Sequence, residues 1–388
     1  MTMFELFDLA SPQQDFVDLI AKGGYEAMPG SGISIARVNT EYLLRHPEEF
    51  TSNVDLSLGN VRPMIPLNVD PPMHSKYRKL LDPLFAPKRM DEQEADITRR
   101  VNGYIDAFID AGECNFSEEL AELFPSSVFL GLMGLPEDEL RMFLGMRDGV
   151  LHPERLDPNA MFDMETRRQV TDANGQRIYA YFGALIDERT ARPTDDIITG
   201  FLQSEIDGDH LTREDILDIC FLLLFAGLDT VSATLTSAFA FLATHPDHQR
   251  MIVQDPSIIP AAVEEILRWE SPAMIGVPRI ATCPVDLPTG VHVETGTAVM
   301  PCYGAANVDP SAYDDPLEVR FDREVNSHIA FGAGVHRCLG SHLARRELRV
   351  ALREWHARIP EYWIKPGHEQ LDYRLPVRGV DNLTLAWR

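Results

Sequence analysis

The sequence is poor in paired cysteine, in positive charge and in long apolar runs. Its five cysteines (Cys114, Cys220, Cys283, Cys302 and Cys338) are an odd number, widely scattered, with no CxxC pair. That argues against a disulfide framework and for a reducing compartment. Thirty-five Lys and Arg stand against 60 Asp and Glu, a net charge of −25, so a general nucleic-acid binder is disfavoured because phosphates would be repelled. The longest strongly apolar run, Ile219 to Leu228, is about half of what a bilayer span requires. The opening MTMFELFDLASPQQDF carries Glu5, Asp8 and Asp15 and no basic lead. It reads as neither signal peptide nor anchor, and the expected location is the cytoplasm. Internal repeats, low-complexity tracts and Gly/Ser linkers are lacking too.

What is present is a globular composition, with 45% hydrophobic and 24% charged residues. Its 388 residues suit two or three domains, or one large helical enzyme with a core that can enclose a cofactor. Helical patterns dominate. Residues 93–111 set Ile97, Val101, Ile105 and Phe108 on one stripe. After Thr212, T-R-E-D predicts an N-cap with acids in the first turn. The helix that follows runs from Arg213 to His245, roughly 50 Å at 1.5 Å per residue, and its all-apolar centre predicts burial. A helix after Pro260 stops at Ser271-Pro272; residues 275–302 alternate as short strands. Residues 341–359 form a final helix, and the tail LPVRGVDNLTLAW resembles a small hairpin. The class is mainly α with a minor β region.

Chemistry concentrates in Phe331-Gly332-Ala333-Gly334-Val335-His336-Arg337-Cys338-Leu339-Gly340. Glycines let the backbone turn sharply and approach a flat ligand closely. A cysteine at a helix N-terminus has its thiolate favoured by the helix dipole, and Phe331 can shield one side of the sulfur. Two other readings stay open on these residues: a buried structural cysteine, or a metal site from His336, Cys338 and His342.

This stretch resembles the haem-binding loop F-G-x-G-x-H-x-C-x-G of the cytochrome P450 superfamily. Two further family motifs follow in order: Ala226-Gly227-Leu228-Asp229-Thr230 resembles A-G-x-[DE]-T of the long central helix, and Glu265-Ile266-Leu267-Arg268 matches E-x-x-R. The resemblance covers essentially the whole chain, in the manner of soluble bacterial members. It implies one domain over residues 1–388 and a P450 fold, with the long central helix over a buried haem b. Cys338 would be the axial thiolate and metal ligand, tuned by N–H groups near Leu339 and Gly340. His74, Arg78, Arg279 and His336 would face the propionates. Gly227 and Thr230 would open a groove for O2 and water, with Asp229 and Thr230 relaying protons. Glu265 and Arg268 would be structural, paired with Arg320 ahead of Phe321, or else Arg323.

The substrate pocket implied by the resemblance comprises the loop Leu56–Pro66, Leu222, Phe225, Ala226, Leu228, the segment Met274–Val277, and Pro376-Val377. It is nearly all apolar, which indicates a hydrophobic small molecule. Arg62 either anchors a substrate carboxylate or points to solvent. The implied function is O2-dependent monooxygenation by a monomer, off the membrane. The chain leaves no room for a reductase, so electrons would come from NAD(P)H through a separate reductase and ferredoxin. Residues 74–89 hold five basic residues against one acid, and 334–349 hold four against one. By the resemblance both flank the cysteine side of the haem and suit an acidic ferredoxin. Rival readings are a peroxide-driven haem-thiolate enzyme, for which Asp229-Thr230 is superfluous, and a non-catalytic haem carrier or sensor.

Overall fold

The computed structural model describes residues 6–56, 58–206 and 208–388; Glu5 of the N-terminal reading and Ser57 of the Leu56–Pro66 loop lie outside the described residues. The chain is mainly helical with short strands. It divides into two compact units, one of Met1–Ser52, Met90–Glu122 and Thr230–Arg388, the other of Asn53–Arg89 and Leu123–Asp229.

The first unit holds a five-stranded sheet in the order Tyr25–Met28, Ser31–Ser34, Ala298–Pro301, Arg279–Ala281, Phe50–Thr51. Ala298–Pro301 runs parallel to Ser31–Ser34, with Ala298 opposite Ser31, and the remaining pairs are antiparallel. The final helix, Ser341–Arg358, turns Leu348, Leu352 and Trp355 inward. It packs against the helix Glu94–Phe108, whose predicted stripe Ile97, Val101, Ile105 and Phe108 is buried. Trp355, fully buried, lies within ring contact of Phe108, Phe116, Phe239, Tyr362 and Trp387. Burying each phenylalanine of this cluster is worth roughly 1.5–3 kcal/mol.

The C-terminal tail departs from the expected hairpin. Gly379–Val380 pairs back with Tyr373–Arg374, whereas Thr384–Trp387 sits between Tyr362–Ile364 and the distant Glu113–Asn115. The apolar Leu385 and Trp387 are buried there, so burial against non-local partners overrides local pairing.

The second unit is helical, with one two-stranded pair, Glu205–Ile206 with Asp209–His210. Its longest complete helix, Met164–Ala191, starts from Asp163, whose carboxylate accepts from the N–H groups of Glu165 and Thr166. A Cβ on Gly175 would stand 2.1 Å from the carbonyl oxygen of Gly59. Glycine there lets the chain around Gly59 lie directly on this helix.

One helix, Arg213–Thr244, belongs to both units, with the division between Asp229 and Thr230. Its start is capped reciprocally: the Asp215 N–H donates to Thr212 Oγ1 at 3.1 Å and the Thr212 N–H to Asp215 Oδ2 at 2.9 Å. It is the one helix among the described residues long and apolar enough to cross a membrane, and 67% of its most apolar window is buried inside the protein.

Candidate active site: a cysteine loop and a buried carboxylate

Gly332 and Gly334 adopt φ of 70° and 67°, left-handed values that other residues avoid. They fold the loop so that the Cys338 N–H donates to the Phe331 carbonyl at 2.9 Å. A Cβ on Gly334 would meet the Leu44 carbonyl at 2.0 Å, so the loop lies hard against the helix Arg37–Arg45. Gly340 opens the final helix, and a Cβ there would meet nothing within 4 Å.

Cys338 is the one exposed cysteine of the five. Burial pushes the thiols of Cys114, Cys220 and Cys302 up, that of Cys302 to about 12, which leaves them inert at neutral pH. The metal alternative gains nothing: among the described residues no three His, Cys, Asp or Glu side chains are grouped to hold an ion. His336 Nε2 instead lies 2.8 Å from Ser52 Oγ.

Neighbours fix the loop. The Arg345 guanidinium stacks 4.4 Å from the Phe331 ring centre. Glu264 holds that guanidinium at 2.7 and 2.8 Å and meets His328 Nε2 at 3.0 Å. Burial opposes ionisation of Glu264, but the hydrogen bonds from His328 and Arg345 prevail and bring its carboxyl to about 2. Tyr303 was not legible in the sequence. Burial raises its phenol, against the nearby charge of Arg279 and together with that of Cys338. Its hydroxyl would lie 2.4 Å from a Cβ on Gly276 and 3.5 Å from one on Gly332. The two glycines that make room for Tyr303 were the only signal.

Arg279 is buried at the start of its strand, its Nη1 donating to the carbonyls of Val277 and Pro278 at 3.0 and 3.1 Å. Val277 and Val377 are half-buried. Met274 corrects the expected pocket. It is packed in a core cluster with Phe7, Phe16 and Ile33, and its carbonyl accepts from the Gly304 N–H at 3.1 Å.

The E-x-x-R pair is buried as expected, with Arg268 Nε and Nη2 each 2.8 Å from Glu265. The second arginine is a correction. Arg323 Nε donates to Glu265 Oε1 at 2.9 Å, whereas Arg320 gives only its backbone N–H at 2.8 Å and turns its side chain to Asp322 and Asp315. Reaching Glu265 requires the side chain that also ties the turn at Asp314 and Asp315, and Arg323 makes those bonds. Asn326 completes the carboxylate's shell at 3.0 Å.

In the second unit the central helix presents Leu222, Phe225 and Ala226 half-buried and Asp229 fully buried; Thr230, next along the helix, is half-buried. Gly227 is a further correction. A Cβ there would lie 2.3 Å from the Phe129 ring, so its bareness accommodates that ring rather than opening a groove. Arg147, buried, donates from Nη1 to the Leu228 carbonyl at 3.2 Å. His152 Nε2 stands 3.6 Å from Asp229 Oδ1. On the helix Met73–Leu81, His74 is buried and Arg78 meets Asp82 at 2.7 Å.

Arg62 neither points to solvent nor waits for a substrate carboxylate. It makes a two-pronged bond to Asp218 of the central helix at 2.8 and 3.0 Å, and the Tyr179 hydroxyl donates to the same carboxylate at 3.0 Å. Asp218 is only 4% exposed, so this pairing satisfies a buried charge and holds the loop at Arg62.

The cytochrome P450 profile matches residues 156–355. "Probable cytochrome P450 127A1" of Sinorhizobium fredii is 35% identical over 90% of this chain and 80% of its own length. A "Steroid C26-monooxygenase" of Mycolicibacterium smegmatis is 32% identical over 82% of this chain and 77% of its own. Among solved structures, the myxobacterial CYP267B1 in complex with myristic acid is 27% identical, covers all of both chains and superposes with a TM-score of 0.88. By this profile and these relatives, the chain belongs to the cytochrome P450 family.

Proposed function

We propose that this O2-dependent oxidoreductase is a haem b–thiolate monooxygenase that hydroxylates a hydrophobic small molecule with electrons from a separate ferredoxin and NAD(P)H-dependent reductase. One observation carries the reading: the single exposed cysteine sits on a left-handed glycine loop just before a helix N-terminus. The donor set fits an iron porphyrin, with a sulfur for the metal from Cys338 and cationic or hydrogen-bonding side chains for propionates from His74, Arg78, Arg279 and His336. When bound, the haem iron supplies O2 binding and the oxidising chemistry. Phe331, Gly332 and Gly340 shape the approach to the sulfur. In this reading residues 1–388 act as one functional domain.

Asp229 and Thr230 hold and move protons. The Asp229 carboxylate accepts a proton at Oδ1, and the Thr230 hydroxyl passes it toward the reacting oxygen. Thr230→Ala in the holoenzyme should bind substrate normally and consume NAD(P)H, yet divert electrons to hydrogen peroxide instead of product. Coupling equal to wild type would reduce the pair to a feature of the helix. Activity driven by peroxide but not by ferredoxin and reductase would instead favour the peroxide-driven alternative.

Half-buried Leu222, Phe225, Ala226, Val277 and Val377 support a hydrophobic substrate. So do the relative named for a steroid and the similar structure that holds myristic acid. A cytoplasmic, monomeric enzyme fits the same reading. For the ferredoxin, Lys79 and Arg337 are exposed, and Arg345 is engaged with Glu264. Reduction by ferredoxin should slow as salt shortens screening to ~10 Å or less. Charge reversal at Lys79 or Arg337 should weaken ferredoxin-driven turnover and spare substrate binding. Salt-independent reduction with both reversals silent would place docking elsewhere.

A further inference from the structure

The P450 motifs account for Asp229 but not for what stands behind it. His152 follows the helix Leu140–Leu151 and is 2% exposed in its side chain, beside an Asp229 that is fully buried. Its two ring nitrogens face two carboxylates: Nε2 lies 3.6 Å from Asp229 Oδ1, and Nδ1 lies 3.7 Å from Glu154 Oε1. Glu154 is 26% exposed and meets Arg167 of the Met164–Ala191 helix at 3.4 Å. A buried carboxylate with nothing to share its charge is costly, and an imidazole between two carboxylates can meet that cost while exchanging a proton at either end.

We infer that His152 is the proton-feeding and positioning residue for Asp229, linking it to the protein surface through Glu154. The inference rests on the proton-delivery reading of Asp229 and Thr230 given above. From a neutral ring protonated at Nε2, Nδ1 takes a proton from the Glu154 carboxyl while Nε2 gives its own to Asp229 Oδ1. Glu154 is left as a carboxylate and recovers a proton from water, and exchange with water, one proton lost at Nδ1 and one gained at Nε2, restores the starting tautomer. One proton enters, one leaves, and no electrons move. The gaps of 3.6 and 3.7 Å exceed hydrogen-bond length by about half an ångström, so small ring movements make and break each link.

The surrounding charges suit the role. Arg147 and Asp148 lie on the preceding helix, with Arg147 Nη2 2.6 Å from Asp148 Oδ1. Arg155 reaches the same carboxylate at 3.3 Å. Arg147 also donates to the Leu228 carbonyl, one residue before Asp229, which fixes that turn of the central helix against the helix that precedes His152. Arg167 faces Glu154 from the third element. These contacts set permanent cations around the His152 segment at Asp148, the Leu228 carbonyl and Glu154. Among these side chains only the imidazole of His152 can accept a proton at one nitrogen and give one from the other.

The test is coupling as a function of pH in the holoenzyme, measured as product and hydrogen peroxide formed per NAD(P)H. His152→Gln should raise the peroxide share about three- to tenfold, within what a positioned acid–base group contributes. It should also flatten the pH dependence of coupling while leaving the substrate-induced spin shift intact. Glu154→Gln, at a more exposed position, should act in the same direction with smaller size. Independently of turnover, the 15N ring signals of His152 in the diamagnetic carbon-monoxide complex should change in both Asp229→Asn and Glu154→Gln, since each alters the neighbour of one ring nitrogen. Wild-type coupling in His152→Gln overturns the proposal, as does uncoupling whose pH profile parallels wild type, or a ring blind to both neighbours. Asp229→Asn run alongside separates the failures. If it uncouples and His152→Gln does not, the relay is wrong and the proton-delivery reading stands; if neither uncouples, that reading falls too.

Discussion

Replacing Cys338 with serine should abolish the red-shifted Soret band that the reduced carbon-monoxide complex owes to thiolate ligation, and hydroxylation with it. A thiolate donates electron density to the metal, which favours O–O cleavage. A serine hydroxyl in the same place is neutral at pH 7 and a poor donor. No other sulfur is placed to substitute. Cys114, Cys220 and Cys302 are buried, with thiols pushed up by that burial, and half-buried Cys283 packs against the cluster of Leu43, Phe50 and Val285. The fold should survive, because an exposed side chain is being exchanged for one of similar size. The decisive measurement is the difference spectrum of the purified variant. A retained thiolate band would mean that another cysteine holds the metal, and the site would have to be rebuilt around it.

What could be read beforehand follows from how local each signal is. The cysteine loop was legible because its requirements are sequential: left-handed turns at Gly332 and Gly334, and a helix that opens at Ser341. The central helix was legible from Thr212 and a long apolar run, down to its cap. Contacts between residues distant in sequence were not. Asp218 reads as one more acid in a helix start, and only the fold brings Arg62 and Tyr179 to it. Gly227 sits in a motif that suggests a groove, yet Phe129 occupies the space. Met274 lies among apolar neighbours in sequence whether it lines a cavity or a core, and burial against Phe16 decides it. His152 follows a helix with no pattern of its own, so nothing short of the fold couples it to Asp229. The tail failed for a related reason: the partner of Thr384–Trp387 lies at Glu113–Asn115.

The Glu265 network gives the sharpest test of such a non-local assignment. Arg323→Ala should destabilise the protein by ~3–5 kcal/mol, the usual cost of removing one partner from a buried ion pair, and much of it should fail to accumulate as folded holoenzyme. Glu265 is 1% exposed and Arg323 7%, so the loss leaves the carboxylate short of a charge-assisted bond where water cannot replace it. The same side chain also donates to the carbonyls of Asp314, Asp315 and Glu318, and the turn they form would lose its tie. Arg320→Ala should cost less than about 1 kcal/mol, as exposed pairs do. Its side chain is 43% exposed and pairs with exposed acids, while its one bond to Glu265 comes from a backbone N–H that alanine keeps. Glu265→Ala should be at least as damaging as Arg323→Ala, because it leaves Arg268 and Arg323 buried together without their shared anion. Urea unfolding midpoints of the three holoenzyme variants rank them directly. Equal costs for Arg320→Ala and Arg323→Ala would mean that the arginine of this network has been misassigned, and that the loop before the cysteine is held some other way.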